Sequence, residues 1–160
     1  MKRLLSYIPN HVVILLQRLL ISVALLYLTR LIFLAFNFSA FPRLGFFDFF
    51  VALWFDLITV GLVYVFYYTL FLLPIPIRGY KLHKALFKIG FHIINGLLIA
   101  FNLLDIEYFK YTSKRSTSDL FTVLGAGNDF SQLITSFLAD SWHILLMLIV
   151  LLAISEFLYR

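Results

Sequence analysis

Two residues of opposite charge, Arg30 and Asp56, each lie inside a long apolar run of this 160-residue chain. A guanidinium or a carboxylate in hydrocarbon costs at least a few kcal/mol, so such residues turn towards a partner charge, a backbone carbonyl or water. Asp56 stands in Trp54-Phe55-Asp56-Leu57. Arg30 is its natural partner, because both fall in the same half of neighbouring antiparallel runs. A pair of this kind fastens two helices together; its other use is contact with a lipid headgroup.

The remaining polar residues point to structure more than to reaction. Arg18 lies in the first apolar run, where its long stem can snorkel to the nearer headgroups. His92, Asn95 and Asn102 recur at offsets of three and seven, which puts them on one helix face as interhelical hydrogen-bonding groups. His92 has no histidine or acid at ligand spacing along the chain, and His11, His83 and His143 all stand at run ends, so no metal site is expected. Gly125-Ala126-Gly127-Asn128 follows no strand and meets neither the P-loop nor the dinucleotide spacing. No serine or threonine has the histidine and acid that would activate it, so no catalytic residue is expected. The richest stretch holds Asp105, Glu107, Tyr108, Lys110, Lys114, Arg115, Thr117 and Asp119. A solvated helix end accounts for most of it. Its functional use is to meet an anionic lipid headgroup, or a docked domain, through Asp105, Tyr108, Lys114, Arg115 and Asp119.

The composition says what surrounds these residues. The chain is 62% hydrophobic and 13% charged, where a soluble domain is about 45–50% apolar and about 25% charged. Such a chain cannot hide its apolar side chains in one core, so the excess must face lipid. The formal charge of +5 does not point to nucleic acid, because most basic residues flank apolar runs and serve topology. With no cysteine there is neither a disulfide framework nor a thiolate site. Met1-Lys2-Arg3 before an apolar run has the charge order of a signal peptide, but the 26 residues from His11 to Phe36 are too many, which makes a retained anchor.

The expected fold is all-α: one polytopic transmembrane bundle over residues 1–160, with spans at about 11–36, 46–73, 85–109 and 142–159. Pro42 and Gly45 mark the first turn, and Pro74-Ile75-Pro76 ends the second span. Arg78, Lys81, Lys84 and Lys88 form the densest positive cluster, in a loop expected over 77–88. That loop and the basic N-terminus are cytoplasmic by the positive-inside rule, in a cell membrane crossed several times. Lys110, Lys114 and Arg115 then lie on the outer side, against the rule. Between spans three and four, residues of about 118–139 have the spacing of amphipathic interfacial helices, capped by Thr117 or Ser118, with a re-entrant pair as the alternative. Trp142 and Tyr159 sit where an aromatic belt places them.

The run Asn102-Leu103-Leu104-Asp105-Ile106-Glu107-Tyr108-Phe109, followed by Lys114-Arg115-Ser116-Thr117-Ser118-Asp119-Leu120, resembles the membrane domain of the lipoteichoic acid synthase-like family. The family includes phosphoglycerol transferases and sulfatase-like membrane proteins. The order of parts is also similar: a first span with Arg30, a second with Phe55-Asp56-Leu57, a third ending in Asp-x-x-Tyr-Phe, an interfacial stretch and another span. The resemblance implies a membrane anchor for an extracytoplasmic enzyme domain of the alkaline phosphatase superfamily, which carries a threonine nucleophile beside a divalent metal such as manganese. None of those residues maps onto this sequence, Thr117 included. The chain stops after what matches the fourth span, so it reads as a fragment or a truncated paralogue, with the fragment favoured by its ending directly after an apolar span. Membrane lipids and the absent catalytic domain are the implied partners, and no cofactor belongs to this chain itself. The competing reading is a standalone interaction or transporter subunit, although a transporter should show broken helices or matching halves, and neither is visible.

Overall fold

The computed structural model describes residues 10–72, 81–115 and 141–160. Backbone polar groups in hydrocarbon must be satisfied within their own segment, and each long apolar run meets that demand as a helix. The helices are α1 (Asn10–Phe36), α2 (Phe46–Leu72), α3 (Lys81–Thr112) and α4 (Trp142–Tyr159), with a 3-10 turn at Phe38–Ala40. All four are long and apolar enough to cross a membrane. At about 1.5 Å per residue, the 27 residues of α1 exceed the ~30 Å hydrocarbon core, while the 18 residues of α4 just span it.

Local chemistry sets the ends. At the close of α1 the Asn37 side-chain amide and backbone N–H both donate to the Phe33 carbonyl at 3.1 Å, and the 3-10 turn follows. At the start of α2 Asp48 reaches back, its Oδ2 accepting the Gly45 N–H at 2.7 Å. That is half of a capping box, with the carboxylate at the positive end of the helix. α3 ends as Ser113 takes φ 52° and donates its N–H to the Phe109 carbonyl at 2.8 Å, a left-handed C-terminal turn on a residue other than glycine.

The side chains sort in the reverse of a water-soluble protein. Phe47 is 79% and Phe66 72% exposed, while Thr29, Asp56 and Ser155 are 1% or less. Lipid is as apolar as a core, so helices in it associate through close packing and polar contacts. α1 and α3 lie together at the centre; α2 packs chiefly on α1, and α4 on α3. One core cluster joins Leu25, Phe33, Ile99, Leu103, Ile106, Ile144 and Leu151, and a second joins Val23, Leu26, Val60, Tyr64, Tyr67 and Phe91. Gly90 lets α3 approach Tyr67, whose ring carbon lies 3.4 Å from where a Cβ would stand.

The fold is thus that of a polytopic helical membrane protein, with four spanning helices as the apolar runs predict. The third helix is longer than the expected 85–109 at both ends, finishing at Thr112. α3 begins at Lys81, four residues before the expected Ala85, because lysines favour helix well enough that Lys81, Lys84 and Lys88 belong to its first turns instead of a loop. The expected interfacial helices at 118–139, Asp119 among them, and Pro74-Ile75-Pro76 lie outside the described residues.

Candidate functional site: an arginine-lined groove at the Phe36 end

The structure brings Arg30 and Asp56 together between α1 and α2. Arg30 Nε lies 3.1 and 3.0 Å from the two Asp56 oxygens, and Nη2 also reaches Oδ1. Asp56 is 1% exposed, so the guanidinium replaces the water that the carboxylate lost. Both residues face inward because the apolar neighbours of Asp56, Trp54 and Phe55, take the lipid side.

Beyond this pair, the last turns of α3 assemble a second charged group. Arg115 Nε donates to Asp105 Oδ2 at 2.7 Å and its Nη2 to Asn102 Oδ1 at 2.8 Å, with the guanidinium 5.4 Å above the Phe33 ring. Asp105 and Glu107 are both buried. Glu107 accepts from Lys110 at 2.6 Å and lies 3.1 Å from His143 of α4, which stacks on Phe36 of α1. Lys110 of α3 is thus matched by Glu107, and Arg115, just past the end of the helix, by Asp105. The other predicted residues are not gathered in. Tyr108 is half-buried and offers its carbonyl to Thr112, and Lys114 is exposed.

Arg30 and Arg115 line one groove of about 190 Å³, walled by Tyr27 and Phe33 of α1, Asp48 and Phe49 of α2, and Phe41. The Tyr27 hydroxyl donates to the Phe49 carbonyl at 3.5 Å, closing the α1–α2 side. A groove with two fixed guanidiniums, one carboxylate and aromatic walls can hold and orient a charged headgroup. Among the described residues no group of three His, Asp or Glu side chains could hold a metal ion.

The opposite end carries contacts that the sequence does not announce. Arg18 does not simply snorkel: its guanidinium sits 4.5 Å over the Tyr159 ring and donates to the Tyr67 hydroxyl at 3.4 Å. Ser22 and Tyr64 hydroxyls meet at 3.0 Å, and Tyr67 donates to the Phe87 carbonyl at 3.0 Å. Glu156 of α4 gathers Lys88 at 2.6 Å, His92 at 2.9 Å and Arg160 at 3.2 Å. His92 therefore has an acidic neighbour after all, supplied by another helix. Its placement on one face with Asn95 and Asn102 was the available signal, since such a face must meet something polar.

No protein family matches the chain, and neither a curated protein nor a solved structure matches it significantly. The fold defines a class, the polytopic helical membrane proteins.

Proposed function

We propose that this chain is the membrane-anchoring domain of a lipoteichoic acid synthase-like or sulfatase-like transferase. It holds an extracytoplasmic catalytic domain at the membrane surface and presents lipid to it. The observation that supports this reading is the concentration of ion pairs with buried carboxylates at one end of the bundle: Arg30–Asp56, Arg115–Asp105 and Lys110–Glu107 all lie towards the end where α1 and α3 finish. Fixed charges on a rigid scaffold hold a bound group in one orientation for a reaction carried out above them.

The orientation follows from charge. Lys81, Lys84, Lys88 and Arg160 stand at the other end, together with basic Lys2 and Arg3 in sequence, so that end and the N-terminus are cytoplasmic. The groove then opens at the outer face of the cytoplasmic membrane. On this reading a divalent metal belongs to the catalytic domain.

The test lies in the coding sequence. The reading frame is expected to continue beyond Arg160 into a fifth span and a domain bearing metal ligands. A stop codon directly after Arg160 would overturn the proposal.

A further inference from the structure

The groove at the Phe36 end carries both signs of charge, and its unused valences differ from those of a plain anion site. In Arg30 and in Arg115 the Nε and Nη2 atoms make the bonds to Asp56, Asp105 and Asn102, and Nη1 makes none to a described residue. Each guanidinium therefore keeps N–H donors for a ligand. Asp48 lines the same groove. Its Oδ2 accepts the Gly45 N–H at 2.7 Å, and among the described residues no basic side chain pairs with its carboxylate.

The charges do not favour a simple anion. Arg30 is matched by Asp56 and Arg115 by Asp105, which leaves Asp48 as a carboxylate of the wall that makes no ion pair among the described residues; Arg43 lines the adjoining hollow beside it but does not pair with it. An anion set on the guanidiniums meets the Asp48 charge, and a simple cation set on Asp48 meets the guanidiniums. A ligand with a phosphate at one end and a cation at the other satisfies both. A primary ammonium can donate to the carboxylate as well as neutralise it, which a trimethylated one cannot. Tyr27, Phe41 and Phe49 line the same groove as aromatic walls. The groove is built from the last turns of α1 and the first turns of α2, which is the depth of headgroups at the edge of the hydrocarbon.

We propose that this groove binds the headgroup of a zwitterionic phospholipid, its phosphodiester on Arg30 and Arg115 and its primary ammonium on Asp48. The assignment rests on the reading of the Phe36 end as the lipid-presenting face, and names the class of lipid presented there.

The experiment measures lipid retained by the full 160-residue chain in mixed micelles of one detergent with phosphatidylethanolamine, phosphatidylglycerol or phosphatidylcholine. Phosphatidylethanolamine should bind about tenfold more tightly than either, the effect of one charge-assisted hydrogen bond. D48N keeps an oxygen to accept the Gly45 N–H, so its helix cap and fold remain, and it should bring phosphatidylethanolamine and phosphatidylglycerol to equal affinity. Tighter binding of phosphatidylglycerol by the unaltered chain, or an undiminished preference in D48N, overturns the zwitterionic assignment and leaves a lipid-presenting face. Equal, weak retention of all three lipids overturns the assignment and that reading together. Displacement of no lipid by free phosphoethanolamine is expected at matched concentration; displacement as strong as by the intact lipid overturns the choice of a membrane source.

Discussion

Replacing Asp56 by alanine will strip the Arg30 guanidinium of its carboxylate and lower the unfolding free energy in detergent by about 3–5 kcal/mol, the cost of breaking a buried ion pair from one side. The size follows from burial: Asp56 is 1% exposed and takes three contacts from one guanidinium. Arg30→Leu should cost a comparable amount, since it leaves a carboxylate in an apolar interior. The double variant, Arg30→Leu with Asp56→Leu, removes both charges at once and should lose less than the sum, with a coupling of about 1–3 kcal/mol. Strictly additive losses in that cycle would contradict direct pairing.

The second large effect belongs to Phe91. Its side chain is fully buried between helices, with ring centroids 4.9 Å from Tyr159 of α4 and 6.3 Å from Tyr64 of α2. Truncation to alanine opens a cavity at the junction of α2, α3 and α4 and should cost about 3–5 kcal/mol. Phe66, 72% exposed towards lipid, is the control. Its truncation exchanges one apolar contact for another and should change stability by no more than about 0.5 kcal/mol. Equal losses at the two positions would mean that Phe91 does not sit in a packed core.

The spans are legible in the sequence because an apolar run of membrane length has few alternatives to a helix. Asp56 and Arg30 stand out for the same reason: a charge within such a run must be answered, and each is the other's nearest candidate in depth. What lies between helices is less visible. Glu156 follows a run of apolar residues near the end of α4, and nothing local shows that it meets Lys88 and His92. Arg18 reads as a snorkelling side chain because the Tyr159 ring that covers it comes from the far end of the chain. Nothing in the sequence singles out Asp48; it is an acid in the first turn of α2, and its place in the groove depends on α1 and Arg115 coming to the same level. The early start of α3 was hidden because basic residues beside proline resemble a loop by charge, although lysine is no obstacle to helix.

Four helices that cross a bilayer place alternate connections on opposite faces. Single cysteines introduced at Ser39, Lys81, Ser113 and Arg160, all exposed positions in a chain with no cysteine of its own, report this directly through a membrane-impermeant maleimide applied to intact cells. The account predicts that Ser39→Cys and Ser113→Cys are labelled from outside, while Lys81→Cys and Arg160→Cys are labelled only after the membrane is permeabilised. Labelling of all four from one side would contradict it.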